Sequence, residues 1–552
     1  MIKEKIQNIV RDEIMKQQQN NELIGFDIPE IDIEYPQNNQ YGDYSCNVAL
    51  KLAGTLRQSP MELGSQLVEG IQKRIADNDI LEKVELAAPG FINFYLSPAW
   101  LSDATKIIFD KAEDFGRSNF GHRKKIQVEF VSANPTGPLH VGNGRGSFLG
   151  DTLAKILAHV GYQVEREYYV NDMGKQVDTL GESVLRRYLQ RKGIPVPYPD
   201  YCYQGEYIKD LASSFVLRNY TLSSVKKIDE IKEKTKMTVL NKMLKQIKDF
   251  LEKKLNIKYD VWFSEKSLMD SGKFDKTIAQ LKEKNLTFEQ DGALWFRSTE
   301  FGDDKDRVLI KKDGKPTYFA TDIAHHLVNF ETNSRKVNIL GADHHGEIPR
   351  LQAALKALGH EGKLDVIFVQ LVRLLEGGYE VKMSKRSGSF ITLEELVEEV
   401  GLDVTRFFFL MYAVSTHMDF DLSLARKKSS KNPVYYVQYA HARICSIMEK
   451  LKNEEATLSK VNAELSHPTE LILIKELIKF PDLLKEISKS YEVHRLPFYT
   501  IEIAKKFHDF YAKCKVIEEG NINEGRLRLI QATQITLQNA LALMGVSAPT
   551  KM

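Results

Sequence analysis

Apolar and polar positions along the chain first define a mixed region at the N-terminus. Isoleucines recur at helical spacing from Ile2 to Ile14, and the segment from Gly90 to Leu96 alternates apolar with polar side chains as a strand does. We therefore predict a separate α+β domain over residues 1–112. The polar stretch that follows it, Glu113 to Lys125, is interpreted as a linker.

The next region carries the pattern of a parallel sheet. Ile126, Val128 and Phe130 alternate as a strand. After a loop, an apolar helical face from Leu149 to Val160 leads into a second strand, Val164 to Val170. Because a helix lies between them, the two strands are expected to be parallel, as in a doubly wound α/β sheet.

Strand-like segments return further along, after long charged helices. They are the apolar runs 308–310, 337–340 and 366–369. We therefore predict one sheet, within a domain over residues 122–420, that is split by a helical insertion at about 185–290. Residues 221–260 of the insertion hold 11 lysines against 6 acidic residues. A solvated helical surface is the favoured interpretation of this excess, and a nucleic-acid contact is the alternative.

From about residue 420 onward the pattern is helical throughout. One apolar stripe runs from Val434 to Leu451 and a second from Leu527 to Met544, where Gly545 is placed to end the helix. His441 lies inside the first stripe and is interpreted as a hydrogen-bonded core residue rather than a ligand. Residues 421–552 are therefore predicted to form an all-α bundle, which makes the whole chain a multidomain α/β protein.

Composition and charge exclude several classes of protein. Of the 552 residues 43% are hydrophobic and 28% charged, and the formal net charge is +2. These values are typical of a globular protein with several domains and exclude overall disorder. A polyanionic partner would have to be met by local basic patches.

The cysteines and the apolar runs bear on location. The four cysteines form no paired motif, which disfavours a zinc ribbon or a disulfide framework and suits the reducing cytoplasm. The longest apolar run, Phe407 to Val414, has 8 residues, whereas a membrane span takes about 20. With no signal-peptide pattern at the N-terminus either, we expect a cytoplasmic protein.

The most informative segment runs from Glu129 to Gly146, where a predicted strand turns into a helix. It holds one histidine, His140, and four glycines. Free backbone N–H groups and the positive end of the helix dipole make such a junction an anion site, and glycines let a ligand approach the backbone. Neither the GxGxxG spacing of dinucleotide-binding proteins nor the Walker phosphate-binding pattern occurs, which disfavours both classes.

A second segment, Gly377 to Gly388, combines lysine, arginine and serine side chains between glycines. Lys382 and Lys385 can neutralise the charge that develops on a departing pyrophosphate without any proton transfer. A basic loop by itself is more often just a solvated loop. The two segments together are far more specific than either one alone.

Together, the segments resemble the paired HIGH and KMSKS signatures of class I aminoacyl-tRNA synthetases. The matching residues are His140-Val141-Gly142-Asn143 and Lys382-Met383-Ser384-Lys385. Six further segments narrow the resemblance to arginyl-tRNA synthetases of the bacterial type. In chain order they are Ser132 to His140, Glu167 to Asp172, Pro316 to Ala324, Gly341 to Gly346, Asn432 to Arg443 and Met544 to Pro549.

The resemblance implies an enzyme, an arginine–tRNA ligase. Its catalytic domain would be Rossmann-like with an insertion, its C-terminal bundle would grip the anticodon, and its N-terminal domain would touch the tRNA elbow. L-arginine and ATP, which enters with Mg²⁺, would give arginyl-adenylate and pyrophosphate; arginine would then move to the 3′-terminal adenosine of tRNA(Arg), releasing AMP. The family typically needs bound tRNA before it activates arginine. A monomer with no tightly bound metal and no DNA or membrane partner is expected.

The resemblance also assigns roles to individual residues. The expected catalytic residues are His140, Asn143, Lys382 and Lys385, and His140 would hydrogen-bond the ATP phosphates. For ATP, the expected binding residues are these four catalytic residues together with Pro138, Gly142, Gly144, Met383 and Ser384. For arginine, they are Glu129, Ser132, Asn134, Asn143, Tyr318, Asp322, Asp343 and His344. For tRNA, they are Arg426, Lys427, Lys428, Tyr435, Tyr436 and Tyr439.

Physical chemistry agrees with part of this assignment. A planar guanidinium calls for a carboxylate acceptor such as Asp322, which would share a helix face with Tyr318 four residues earlier. Whether Asp343 or His344 touches arginine stays open. For the tRNA residues, the alternative is that the tyrosines pack within the bundle while the lysines form a solvated face.

The sequence departs from the family pattern at two positions. Asn143 stands where many relatives have a second histidine, and Arg386 replaces the serine after the second lysine. Asparagine keeps a neutral donor and acceptor, so activity is expected to persist. Two other functions are alternatives: a metal-dependent phosphoesterase, suggested by Asp343-His344-His345, and a tRNA-binding regulator without catalysis. The first lacks further clustered ligands for two metals, and the intact signatures argue against the second.

Overall fold

A computed structural model describes residues 2–36, 38–75, 79–214, 228–381, 391–454, 459–461, 464–518 and 521–552. Within these ranges no helix is both long enough and apolar enough to cross a membrane.

The N-terminal region is an α+β unit, as its pattern predicts. Its strands form an antiparallel sheet in the order β1-β2-β4-β3, and Ile92, Phe94 and Leu96 of β4 are buried on it. Ser59 caps helix α3, because its hydroxyl accepts a hydrogen bond from the backbone N of Glu62 at 3.1 Å. The elements are α1 (Ile2–Gln19), β1 (Ile33–Glu34), β2 (Tyr44–Cys46), α2 (Val48–Leu56), α3 (Pro60–Gln72), β3 (Leu81–Ala87), β4 (Phe91–Leu96) and α4 (Pro98–Lys111).

The middle of the chain is built on a parallel five-stranded sheet in the order β12-β11-β5-β6-β7. The predicted parallel pairing across the first helix, between β5 and β6, is confirmed. The elements are β5 (Lys125–Glu129), α5 (Val141–His159), β6 (Gln163–Val170), α6 (Lys175–Arg191), α7 (Glu206–Ser214), α8 (Ile228–Asp249), β7 (Val261–Ser264), α9 (Lys266–Asp270), α10 (Lys273–Glu283), β8 (Thr287–Gln290), β9 (Ala293–Phe296), β10 (Arg307–Ile310), α11 (Tyr318–Phe330), β11 (Arg335–Gly341), α12 (Ile348–Ala357), β12 (Leu364–Val369), β13 (Val372–Glu376), β14 (Tyr379–Glu380), α13 (Leu393–Val400), α14 (Leu402–Leu410), β15 (Met418–Asp421) and α15 (Leu422–Ala425).

Two strands lie elsewhere than the sequence pattern suggested. The run 308–310 does not join the parallel sheet; it lies in β10, which pairs antiparallel with β9 in a separate sheet that packs around its own apolar core. Conversely, β7 lies inside the range expected to be a helical insertion and forms the edge of the parallel sheet beside β6. A four-residue edge strand between charged helices carries too short an apolar pattern to be recognised.

Some charged side chains of the insertion helices form ion pairs with one another. Lys232 of α8 contacts Glu182 of α6 at 3.0 Å, and Lys236 contacts Asp178 at 3.0 Å. These pairs favour the solvated helical surface over the nucleic-acid contact for this part of the insertion.

The C-terminal region is a helical bundle with one small addition. β16 and β17 flank β18 in a three-stranded sheet that the helical pattern did not predict. His441 is buried and its Nδ1 lies 2.9 Å from the carbonyl oxygen of Pro549, which confirms the expected core histidine. Gly545 ends the last helix at a φ of +68°, as expected. The elements are α16 (Pro433–Glu454), β16 (Ser459–Val461), α17 (Pro468–Leu477), α18 (Phe480–Ser490), α19 (Arg495–Lys513), β17 (Ile517–Glu518), β18 (Asn521–Asn523) and α20 (Glu524–Met544).

One buried arginine joins three parts of the chain. The guanidinium of Arg406 on α14 contacts Asp151 of α5 at 2.8 Å. It also donates to the carbonyl oxygens of Met544, at 3.1 Å, and of Leu255, at 2.5 Å.

The stretch interpreted as a linker, Glu113 to Lys125, is packed against the rest of the protein. Phe115 is buried, and the backbone N of Gly121 donates to the carbonyl of Val160.

Candidate active site

The strand order places a crevice between β5 and β11. From β5 the chain continues to β6 and β7 on one side of it, whereas the later strands β11 and β12 lie on its other side. The direction in which strands are added to the sheet therefore reverses between β5 and β11. In open α/β sheets, ligands bind at the carboxyl ends of the strands at such a point. The loop after β5, the start of α5 and the residues after β11 all lie at this edge.

His140 occupies the N-cap position of helix α5. Its backbone N donates to the side-chain oxygen of Asn143 at 3.0 Å, so Asn143 closes the first turn of the helix. The His140 ring lies over Gly142, where an added Cβ would come within 3.0 Å of ring atoms Nδ1 and Cε1. The sequence therefore presents a histidine at the positive end of a 19-residue helix, where an anion is stabilised.

The described chain that follows the second signature segment contacts the first segment. The backbone N of Leu393 donates to the carbonyl of Leu139 at 2.9 Å, and His140 forms an antiparallel bridge with Thr392. The predicted phosphate-binding residues Lys382, Met383, Ser384 and Lys385 lie outside the described residues. Their chain resumes directly beside His140.

The loop after β5 is held in a strained conformation. Val131 and Ser132 have φ angles of +71° and +39°, which a β-branched residue such as valine rarely adopts. Three tyrosine hydroxyls donate to carbonyls of this loop at intervals of three residues. The pairs are Tyr259 to Phe130 at 3.2 Å, Tyr168 to Ala133 at 2.8 Å and Tyr207 to Thr136 at 2.7 Å.

Two of the predicted arginine ligands lie on this loop. The Ser132 hydroxyl donates to Glu129 Oε1 at 3.0 Å and accepts from the backbone N of Tyr169 at 3.1 Å. Asn134 is exposed and donates to Gln176 at 2.8 Å. The loop therefore presents one buried carboxylate, one hydroxyl and one exposed amide toward the crevice.

Four carboxylates lie close enough to Tyr169 to affect its hydroxyl. Burial raises the pKa of the Tyr169 hydroxyl, and Glu265, Asp322, Glu129 and Asp172 raise it further. Burial likewise raises the pKa of Glu265, although hydroxyls of Thr321 and Tyr169 bond to it. Such a concentration of negative charge suits a cationic ligand, and a guanidinium matches it best because its fork of N–H donors can bind several carboxylates.

Asp322 lies on helix α11, one turn after Tyr318. Burial would raise the pKa of Asp322, but His326, whose Nδ1 lies 3.2 Å from Oδ1, together with His325 and Lys336 holds that pKa below its usual value. The Asp322 side chain is still 42% exposed and can reach a ligand. Tyr318 is 65% exposed, and its hydroxyl lies close to Gly174, just beyond the end of β6.

Asp343 and His344 follow β11 but face a different environment. Asp343 is 82% exposed, and His344 lies 3.8 Å from it. His344 also pairs with Glu347, at 3.0 Å. The contacts of both residues therefore run along their own 3₁₀ turn rather than toward Asp322 or Glu129.

Among the residues that the structure describes, two clusters have donors close enough to share a metal ion: Asp322 with His325 and His326, and Glu129 with Glu167 and His325. In the first, the nitrogens of His326 lie 2.8 Å from the Asp322 carbonyl and 3.1 Å from the Asn338 amide, which fixes both. In the second, the ammonium of Lys336 lies between the two carboxylates. Hydrogen bonds within the protein therefore account for both clusters.

Arg145, one turn into α5, is buried, and its guanidinium has backbone carbonyls as acceptors. Its guanidinium donates to the carbonyls of Gln370 at 2.9 Å, Thr416 at 2.8 Å and Ala413 at 2.6 Å. Burial lowers the pKa of Arg145 to about 10. Arg145 thus ties the start of α5 to the base of the β13–β14 hairpin, from which the second signature segment continues.

Replacing Arg145 by methionine should destabilise the protein strongly. We expect a loss of about 1–3 kcal/mol for each buried carbonyl left without a donor. The measurement is urea-induced unfolding followed by circular dichroism. Arg373→Met, which removes an exposed ion pair with Asp419, is the control and should change the stability little. Equal effects of the two variants would mean that water replaces the Arg145 guanidinium.

The predicted tRNA residues fall into two groups. Arg426 is engaged by Glu376 at 2.7 Å and by Glu399, whereas Lys427 and Lys428 are exposed. Tyr436 and Tyr439 lie beside the ring of His508, with ring centroids 5.1 and 6.0 Å apart from it. Tyr435 is half-buried.

Sequence reasoning did not single out Glu265, Tyr169, Lys336 or Arg145 as site residues. Tyr169 lies near the end of β6, and Glu265 directly follows β7, which pairs with β6. Had β7 been recognised as a strand of the parallel sheet, both residues would have been predicted at the crevice. Lys336 and Arg145 carried no signal, because a single charge in a strand or helix is usually solvated.

Comparisons with known proteins agree with this architecture. Models of the arginyl tRNA synthetase N terminal domain, the catalytic domain of tRNA synthetases class I (R) and the DALR anticodon binding domain match residues 2–96, 105–406 and 437–552. The chain is 45% identical over 528 residues to the arginine–tRNA ligase of Carboxydothermus hydrogenoformans, covering 94% of each. It is 44% identical over 543 residues to that of Citrifermentans bemidjiense, covering 96% of each. The fold matches Thermus thermophilus arginyl-tRNA synthetase with a TM-score of 0.76, at 21% identity over the whole of both chains. The chain belongs to the arginyl-tRNA synthetase family of class I aminoacyl-tRNA synthetases.

Proposed function

We propose that the family's reaction, the ATP-dependent joining of L-arginine to tRNA(Arg), takes place in the crevice between β5 and β11. The observation that carries the proposal is the juxtaposition of an anion site and an acidic pocket at one sheet edge. His140 caps the positive end of α5, and four carboxylates at the ends of the neighbouring elements lie close enough to Tyr169 to raise the pKa of its hydroxyl. An anionic nucleotide and a cationic amino acid can therefore lie side by side.

In the first step, a carboxylate oxygen of arginine attacks the α-phosphorus of ATP and pyrophosphate leaves. His140 stabilises the growing negative charge on the phosphates, and Asn143 keeps its backbone in place through the 3.0 Å bond. Gly142 and Pro138 leave room for the nucleotide. Gly144, expected to do the same, is buried instead, and the space beside its Cα is occupied by Leu393 and Phe409. Lys382 and Lys385 act on the leaving pyrophosphate, and Mg²⁺ enters as part of the ATP substrate.

The acidic pocket selects the amino acid. Asp322 and Glu265 receive the guanidinium, Tyr318 covers it from the exposed end of α11, and Glu129, Ser132 and Asn134 receive the other end of arginine. Supporting this division, Glu129 and Ser132 are bonded to one another on the loop after β5. Asp343 and His344, which contact their own turn, are placed at the rim.

Two surfaces outside the crevice support the proposed tRNA contacts. On the N-terminal sheet, a cavity of about 440 Å³ is lined by Gln40, Tyr41 and Asn93, among others. Tyr41 is 52% exposed at this cavity. An exposed aromatic ring suits stacking on an unpaired nucleobase of the tRNA elbow.

On the C-terminal bundle, Tyr436 and Tyr439 form an aromatic surface next to the exposed lysines. Bases of an open anticodon loop can stack there.

The proposed domains are residues 1–112, 122–420 and 421–552, and the proposed enzyme is a cytoplasmic monomer. Its four cysteines are unpaired, as suits a reducing compartment.

The test of the proposed function is arginine-dependent ATP–pyrophosphate exchange, measured with and without tRNA(Arg). We expect exchange with arginine and tRNA present together, and little with lysine in place of arginine. Exchange with another amino acid, or its absence under all conditions, would contradict the proposal.

The exposed lysines make a separate prediction about tRNA affinity. Replacing Lys427 and Lys428 by alanine should weaken tRNA binding and flatten its salt dependence, by about one unit of log–log slope for each lost phosphate contact. Arg426→Ala should leave the slope unchanged, because Glu376 and Glu399 already neutralise that guanidinium. Tyr436→Ala should weaken binding with less change in slope. An unchanged slope in the double lysine variant would leave the lysines as a solvated face.

A further inference from the structure

Lys336 is a lysine with no exposed side-chain surface, in a central strand of the sheet. Its ammonium contacts Glu129 Oε2 at 2.8 Å and Glu167 Oε1 at 2.9 Å, and the side-chain exposure of Lys336 is 0%. Lysine is almost never buried to this degree unless it is paired. Such burial calls for a reason beyond the filling of space, because an apolar side chain would fill the same space at less cost.

The strand register explains why a cation is needed there. Glu129 of β5 and Glu167 of β6 are direct neighbours on one face of the sheet. Like charges placed opposite one another destabilise a strand pair. Gln127 and Asn329 each donate one hydrogen bond to Glu167 at 3.2 Å, but neither carries charge. Lys336 is the cation that both carboxylates contact.

Each of the two carboxylates that contact Lys336 is also bonded to a different segment of the crevice. Glu129 accepts from Ser132, so one path runs into the strained loop after β5. Glu167 lies 2.8 Å from Nε2 of His325, so the other path runs into helix α11. That helix also carries Tyr318 and Asp322. The two segments that bear the proposed arginine ligands thus meet at one ammonium.

The charge balance of this cluster is fixed by its burial. Burial would lower the pKa of Lys336, but Glu129 and Glu167 outweigh it and raise that pKa, so the lysine stays charged. Burial and Lys336 lower the pKa of His325, which keeps the ring neutral. Two carboxylates and one ammonium therefore leave one negative charge beneath the pocket.

We propose that Lys336 is a positioning residue for the amino acid: by holding Glu129 and Glu167 at fixed places, it aligns the loop after β5 with helix α11 for arginine. This inference rests on the proposed function, because it takes Glu129, Ser132 and Asp322 as arginine ligands. A loss of alignment of about 1 Å is enough to reduce binding or rate by about 100-fold. The residue acts through its partners and does not touch the substrate.

The experiment separates position from charge with two variants. Lys336→Met removes the ammonium and keeps the stem, but leaves two buried carboxylates without a cation. Lys336→Met combined with Glu167→Gln keeps the net charge of the cluster at one negative unit while removing the bridge. Lys506→Met, which breaks a Lys–Glu pair in the C-terminal bundle, is the matched control. Steady-state constants for arginine and ATP are measured with tRNA present, together with the melting temperature of each variant.

We expect the single variant to melt well below the wild type and the double variant to recover most of that loss. In both, KM for arginine should rise about 10- to 100-fold while KM for ATP changes less than about twofold. A double variant with normal KM for arginine would overturn the proposal and leave the lysine with charge balance alone. Equal changes for ATP and arginine would overturn it too, as would a set of variants none of which folds.

The wild-type enzyme distinguishes the two levels of failure. Wild-type exchange with arginine, together with a normal double variant, rejects the role of Lys336 only. Absence of arginine-dependent exchange in the wild type rejects the proposed function itself.

Discussion

Replacing His140 by alanine should reduce the rate of adenylate formation by about 100- to 1,000-fold, which is the effect of removing one donor aimed at developing charge. The reason is the position of His140 at the N-cap of α5, with its ring over Gly142. Because the charge on the phosphates grows only in the transition state, KM for arginine and for ATP should change little. The measurement is pyrophosphate exchange at saturating substrates.

A suitable control is His360→Ala, at the opposite edge of the sheet. His360 stacks on Phe330 and lies 3.0 Å from Lys363, so its loss perturbs only local packing. Its exchange rate should stay within about twofold of the wild type. A rise in KM for ATP in His140→Ala, with kcat unchanged, would make His140 a ground-state binding residue.

Replacing Asp322 by asparagine should cost about 2–4 kcal/mol in arginine recognition, or about 30- to 1,000-fold in kcat/KM for arginine. The substitution keeps the size of the side chain and its place on α11 but removes the counter-charge of the guanidinium. His326, together with His325 and Lys336, holds the pKa of Asp322 below its usual value, so the carboxylate is ionised near neutral pH. Arginine affinity should therefore be flat between about pH 6 and 8.

The control for this variant is Asp365→Asn, which removes an aspartate paired with Arg335 at the start of β12. It should leave kcat/KM for arginine unchanged within about twofold. Asp343→Asn tests the open choice at the rim, and the 82% exposure of that side chain leads us to expect a small effect. A near-normal kcat/KM for arginine in Asp322→Asn would remove Asp322 from the pocket.

The sequence predicted the parts of the fold that repeat a simple pattern. Residues 126–170 alternate apolar side chains in strands on either side of an apolar helical face, and the parallel pair formed as expected. His441 was placed in the core by the stripe around it. The run 308–310 has the same local pattern as the strands of the central sheet, so pattern alone did not reveal that it pairs with β9.

The candidate site was predicted where residues lie close in sequence. His140 and Asn143 are three positions apart, and their bond follows from helix geometry. The cluster of Glu129, Glu167 and Lys336 joins three strands, and a reader of the sequence sees three unrelated charges. The polar positions of β5, β6 and β11 alternate with apolar ones, which normally indicates a face in water. Helix α11 covers that face instead, so the polar side chains had to satisfy one another.

Arg406 bears on the modularity of the molecule. The predicted domain boundary near residue 420 suggests that the catalytic domain and the C-terminal bundle could fold independently. The guanidinium that is buried against Asp151 needs the carbonyl of Met544, at the very end of the bundle, to complete its bonds. Truncation of the chain near residue 420 would therefore leave a buried cation short of an acceptor. The catalytic half should not be expected to fold as a stable fragment without the bundle.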